Sequence, residues 1–220
     1  MLRGLFVTGT DTGVGKTVVS AALLGRYRSS VPLRYWKPVQ TGIEQDDDTQ
    51  EVRRLGAGDG ELYELGLRLA KPVSPHLAAE RARISIGIDG LLAMLPDDAE
   101  QCRWVVEGAG GALVPLNGGE LMIDLMGALG AAVVVAARSS LGTINHTLLT
   151  LEALRGRSLR VAGVVLVGAK NPENCAAIER YGQIPVLGEM PILQPLNAAN
   201  LGEWARAELD SKNRLAEFLA

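Results

Sequence analysis

The apolar run Leu5-Phe6-Val7 leads directly into Gly9-Thr10-Asp11-Thr12-Gly13-Val14-Gly15-Lys16-Thr17. Few folds accommodate a buried strand that ends in a glycine-rich turn closing on Gly-Lys-Thr. Glycines at 9, 13 and 15 are expected to take positive φ and to turn peptide N–H groups inward at an anion. Val18, Val19, Ala22, Leu23 and Tyr27 follow at helical spacing, so a helix beginning near Lys16 adds its positive N-terminal end. Lys16 supplies a mobile cation for β- and γ-phosphates, and the Thr17 hydroxyl suits the coordination shell of Mg²⁺. The usual motif places its first glycine five positions before the second. That position holds Thr10, with Gly9 one step earlier, so the loop is a lengthened variant of a nucleoside-triphosphate cradle.

The rest of the chain suits such a loop. Strands are predicted at Leu5–Thr8, Leu33–Lys37, Arg103–Glu107, Ala131–Ala137, Val161–Val167 and Val186–Glu189. Helical patterns fall near 16–28, 48–55, 87–95, 120–129, 143–155, 173–182 and 198–219. This alternation predicts an α/β fold of three layers, α/β/α, around a mostly parallel central sheet like that of P-loop NTPases. The 220 residues fit one domain spanning 1–220. A net charge of −3 and an aromatic content of 4% exclude a general affinity for nucleic acid or an anionic membrane. Cys102 and Cys175 lack a Cys-x-x-Cys spacing and read as ordinary reduced thiols. The N-terminus carries no secretory pattern, and the apolar stretch Ala131–Ala137 is too short to span a bilayer. A cytoplasmic location is therefore expected.

Ligands of open parallel sheets bind outside the carboxyl ends of the strands. The second predicted strand ends Trp36-Lys37-Pro38-Val39-Gln40-Thr41-Gly42 and the third ends Val106-Glu107-Gly108-Ala109-Gly110-Gly111. A second lysine there can neutralise charge on a transferring phosphoryl group. Glu107 is placed to bind Mg²⁺ directly or through water, and the glycines after it allow close backbone approach to a ligand. Asp46-Asp47-Asp48 precedes a helix start; its acids can cap that helix, and one of them can complete a metal shell with Thr17 and Glu107. His76 and His146 have no metal or catalytic spacing and read as structural or peripheral.

Taken together, these segments and Leu141-Gly142-Thr143-Ile144-Asn145-His146 resemble dethiobiotin synthetases, in order and across nearly the whole chain. The resemblance implies that 7,8-diaminopelargonate, CO₂ and a nucleoside triphosphate, ATP or another, are converted with Mg²⁺ to a cyclic urea through a carbamate and a carbamic–phosphoric anhydride. It implies catalytic roles for Lys16, Lys37 and Thr17, and selects Asp48 as the aspartate that joins Thr17 and Glu107 at the metal. The nucleotide would lie along Gly13, Val14, Gly15, Lys16, Thr17 and Val18, with Glu107, Gly108, Ala109 and Gly110 nearby. The diamine would meet Thr41, Gly110 and Gly111. Its carboxylate would be captured across a homodimer interface at Gly142, Thr143 and Asn145. Many members read adenine with an Asn after the fifth strand. The matching position here is Val167 or Gly168, leaving backbone near Gly168 and Pro191-Ile192-Leu193 to line the base pocket, so relaxed base selectivity is expected.

Two other readings share the loop. Synthetase domains of cobyrinate amidotransferases carry a further glutaminase domain, for which the chain leaves no room. Switch ATPases of the partitioning class typically carry a second lysine early in the loop, where this chain has Asp11. They often carry an amphipathic tail, whereas the acidic C-terminal segment here reads as a packed surface helix.

Overall fold

The computed structural model describes residues 1–220. Apolar runs and amphipathic segments alternate from the start: β1 (Arg3–Gly9), α1 (Lys16–Tyr27), β2 (Leu33–Trp36), β3 (Val39–Thr41), α2 (Asp48–Arg54), β4 (Leu62–Tyr63), β5 (Leu67–Leu69), α3 (Pro75–Ala82) and α4 (Ile88–Leu92). The second half continues with β6 (Arg103–Gly111), α5 (Met122–Leu129), β7 (Ala132–Arg138), α6 (Thr143–Gly156), β8 (Val161–Val167), α7 (Pro172–Gly182), β9 (Val186–Met190), α8 (Ala198–Ala207) and α9 (Ala216–Leu219).

Seven strands form one sheet in the order β4-β2-β6-β1-β7-β8-β9, and every neighbouring pair is parallel. Strand alternation divides the apolar residues between two cores. Phe6, Trp36, Val106 and Val135 pack toward α3 to α7, and Leu5, Val7, Tyr35 and Val105 pack toward α1, α2, α8 and α9. The strands are apolar on both faces because both faces are covered. Trp104 meets Trp36 and Tyr63 edge-on, at centroid distances of 6.4 and 5.5 Å, which ties β6 to β2 and to the short edge strand β4.

The structure differs from the sequence reading in several places. A separate two-stranded parallel sheet, β3-β5, and helix α3 were not foreseen. The strand expected at 103–107 continues to Gly111. The helix expected over 198–219 is broken between α8 and α9. Asp210, 2% exposed and at φ 47°, makes the break: its carboxylate accepts from Tyr27 Oη at 2.5 Å, Arg214 N at 2.9 Å and Leu215 N at 2.7 Å. Apolar periodicity continues through that turn because a buried, fully bonded acid leaves no periodic signature.

Candidate active site

Parallel register sets the site. Val7 lies beside Glu107 and Trp36 beside Val106, so the carboxyl end of β6 stands between the loop after β1 and the turn after β2. These ends open on a cavity of about 710 Å³, within the usual range for small-molecule sites.

Gly13 and Gly15 adopt positive φ, 69° and 94°, as the turn requires. Gly9 does not. It is needed for space, since a Cβ there would come within 2.7 Å of Val14 Cγ2 and 2.9 Å of Asp11 O. Helix α1 starts with no side-chain cap and no acid in its first turn, so its N-terminal N–H groups are left for an anion. Lys16, 7% exposed, donates to Asp11 O at 3.0 Å. Burial, then the charge of Lys37, hold its ammonium below the usual lysine value, against partial compensation from nearby carboxylates.

Lys37 is 2% exposed. Its three protons have three acceptors: Asp48 Oδ2 at 2.6 Å, Glu107 Oε1 at 2.8 Å and Gly108 O at 3.0 Å. Burial alone would lower its pKa; Glu107 and Asp48 overcome that and raise it. Burial likewise works to raise the Asp48 pKa, but Lys37 and a hydrogen bond from Thr17 leave it below the ordinary carboxylate value. Thr17 Oγ1 lies 2.7 Å from Asp48 Oδ1 and 3.0 Å from Glu107 Oε1. One hydroxyl proton cannot serve both acceptors at full strength. Three hard oxygens thus crowd together with an ammonium as their counter-charge. The set fits Mg²⁺, which takes one or two carboxylates and completes its shell with hydroxyl, phosphate and water.

Of the three aspartates, Asp48 faces this cluster. Asp47 is the N-cap of α2, accepting from Thr49 N at 2.9 Å and Gln50 N at 3.1 Å. Asp46 lines the cavity, its pKa raised by burial and then by the charges of Asp48 and Glu51.

Among the residues singled out in the sequence, Gly13, Gly15, Lys16, Thr17 and Val18 line the cavity, as do Lys37, Thr41, Asp48, Glu107, Ala109 and Gly110. Others stand around it. Val14, within the loop, is buried. Gly108 offers its carbonyl to Lys37, and Gly111 is paired with Gly9. Val167 packs against Gly15. Gly168 N donates to Met190 O at 2.8 Å, which joins it to the ends of β8 and β9, where Pro191, Ile192 and Leu193 follow. In the sheet order this edge lies on the far side of β1 from Lys37. The nearby amides of Asn171 and Asn174 are engaged within the fold, with Asn174 N and Ser139 O respectively. Gly142, at φ 94°, caps α6. In the first turn Thr143 is buried, with an unpartnered hydroxyl, and Asn145 is exposed. None of these three lines the cavity.

The sequence reading missed two buried polar residues. Tyr35 Oη donates to Glu107 Oε2 at 3.0 Å, and strand alternation, which puts 35 and 37 on one face, carried a signal for it. Gln40, 2% exposed, holds Asp46 O through Nε2 at 2.6 Å. Its Oε1 is buried without a partner, and nothing in the sequence marks that atom.

Residues 3–200 match the family model described as an AAA domain. The chain is 48% identical over 200 residues, covering 91% of it and 93% of the relative, to the ATP-dependent dethiobiotin synthetase BioD of Paramagnetospirillum magneticum. It is 44% identical over 220 residues, covering 100% of it and 98% of the relative, to the protein of the same name from Rhodopseudomonas palustris. Among solved structures it shares the fold of a ParA family ATPase from Chlorobium tepidum (TM-score 0.59, 11% identity, covering 100% of this chain and 98% of that one). A putative plasmid partition protein from Borrelia burgdorferi bound to AMPPNP is similar (TM-score 0.60, 12% identity, 99% and 97% covered).

Proposed function

Since the chain belongs to the dethiobiotin synthetase family and is a ligase of biotin biosynthesis, we propose that it closes a cyclic urea on 7,8-diaminopelargonate, consuming CO₂ and a nucleoside triphosphate within one domain spanning residues 1–220. The observation that most supports this is the meeting of Lys16, Lys37, Asp48 and Glu107 at one cavity beneath an uncapped helix N-terminus.

In this reading one amine of the substrate takes up CO₂ as a carbamate. The carbamate oxygen attacks the γ-phosphorus, and the nucleoside diphosphate leaves. Lys16, reaching over the loop, and Lys37, at the end of β2, stabilise the negative oxygens of the transferring group. The second amine then attacks the carbonyl carbon, the C–O bond to phosphate breaks, and the ring closes. Holding both amines on one chain makes that closure unimolecular. Thr17, Asp48 and Glu107 would hold Mg²⁺, which when bound neutralises charge on the β- and γ-phosphate oxygens.

Thr41, Gly110 and Gly111 would position the diamine. Asp46 and Glu51, also on the cavity wall, suit its cationic amines. A homodimer belongs to the proposal: the α6 start at Gly142, Thr143 and Asn145 would receive the substrate carboxylate from a second copy, as its place outside the cavity within one chain suggests. Val167 and Gly168 bring no side-chain amide to the base edge, which supports relaxed nucleobase selectivity. The test is incubation with diamine, bicarbonate, Mg²⁺ and nucleotide, followed by mass detection of the cyclic urea. Absence of that product under conditions where nucleotide is hydrolysed contradicts the assignment.

A further inference from the structure

We propose that Tyr35 is a positioning residue that holds the Glu107 carboxylate in its metal-binding orientation. The inference rests on the reading of Glu107 as a ligand of Mg²⁺.

Tyr35 and Glu107 are both 0% exposed, so no water can substitute for a lost partner. The two carboxylate oxygens have separate tasks. Oε1 faces the cavity cluster, 3.0 Å from Thr17 Oγ1 and 2.8 Å from Lys37 Nζ. Oε2 points the other way and has one donor, Tyr35 Oη, at 3.0 Å. The ring of Tyr35 is fixed in turn. It sits in the core formed with Val105, Val7 and the α1 side chains, and its strand position opposite Val105 places it diagonally across from Glu107. A phenol locked in that core and bonded to the outward oxygen fixes the rotation of the carboxylate, leaving Oε1 directed at Thr17 and Asp48. Without the hydroxyl, Oε2 would be an unsatisfied buried anion. The carboxylate would then turn to share its outer oxygen with Lys37 or Thr17, and the ligand geometry would be lost. Partners that orient metal ligands are typically worth about 10- to 100-fold in metal affinity.

The test is calorimetric titration of AMPPNP into the protein, once with Mn²⁺ and once with EDTA; the ratio of the two affinities measures the metal's contribution. Tyr35→Phe is expected to shrink that ratio about tenfold or more and to leave the EDTA affinity unchanged. Tyr27→Phe removes another buried tyrosine hydroxyl, the one on Asp210, and is expected to leave the ratio unchanged. Glu107→Gln is expected to shrink the ratio, and Tyr35→Phe made in that background to add nothing; the neutral Gln also keeps the pair testable if the single Tyr35 variant folds poorly. An unchanged ratio in Glu107→Gln overturns the metal-ligand reading, and the Tyr35 role falls with it. A reduced ratio in Glu107→Gln with a wild-type ratio in Tyr35→Phe overturns the Tyr35 role alone. So does an equal loss in Tyr27→Phe, or an undiminished Tyr35→Phe effect in the Glu107→Gln background.

Discussion

Lys37 is bound into the fold and is proposed to serve the chemistry as well, and Lys37→Ala separates the two. Its ammonium is the counter-charge of Asp48 and Glu107, within 2.8 Å of both. Removing one partner of a buried ion pair costs about 3–5 kcal/mol. Asp48 keeps a side-chain exposure of 19% and can take up a proton or water, which favours the lower end, about 3 kcal/mol. For a chain of this size each kcal/mol shifts the melting temperature by roughly 2–4 °C, so the expected fall in metal-free buffer is about 6–12 °C. Mg²⁺ should restore much of it, since a ligand at 100 times its dissociation constant adds about 2.7 kcal/mol. The wild type should gain less, because there the ammonium already occupies the carboxylates. The sign with pH is fixed by the shifts. Asp48 is depressed below 3.8, so the stability it contributes is present above that value and lost as pH falls through the lowered one. Lys37 is raised above 10.5, so its contribution persists to that pH and disappears only at still higher pH. The gap between wild type and variant should therefore be full at neutral pH and narrow in acid. Thermal unfolding with EDTA or Mg²⁺, beside an assay of diamine-dependent phosphate release, reads all of this. An unchanged melting temperature in EDTA would refute the electrostatic account, and retained phosphate release would refute the catalytic one.

Lys16 is held below the ordinary lysine value by burial and by Lys37, and in the proposed reading its charged form is the one that binds phosphate. AMPPNP affinity should therefore fall as pH rises through that lowered value, before 10.5 is reached, while Lys16→Arg should flatten the alkaline limb; a wild-type profile flat to that pH contradicts the assignment. The proposed place of Val167 and Gly168 at the base edge predicts similar turnover at limiting nucleotide for ATP, CTP and GTP, and activity confined to ATP would sink that expectation.

What the sequence revealed of the site follows from topology. In a parallel sheet, residues at strand ends share one edge, so Lys16, Thr17, Lys37 and Glu107 could be grouped before their distances were known. What stayed hidden depends on local three-dimensional detail. Choosing Asp48 from Asp46 and Asp47 on the residues alone needs the start of α2, where Asp47 is spent on the cap. Gly9 looks like a conformational requirement in sequence and is a requirement for space in the structure. The break at Asp210 and the β3-β5 pair are set by tertiary contacts and by strands too short to show a period. Tyr35 lay within reach of a period-2 argument, but an apolar-looking strand residue is read as core until its hydroxyl is seen on Glu107.

The central claim is that one cavity carries phosphoryl transfer to a carbamate and the ring closure that follows. It is tested most directly by supplying [¹⁸O]bicarbonate and analysing the released phosphate by mass before label exchanges with water. Attack of the carbamate oxygen on the γ-phosphorus, then carbon–oxygen cleavage on closure, predicts one bicarbonate-derived ¹⁸O in each phosphate formed with the cyclic urea. Phosphate without label, formed alongside labelled ring product, would contradict it.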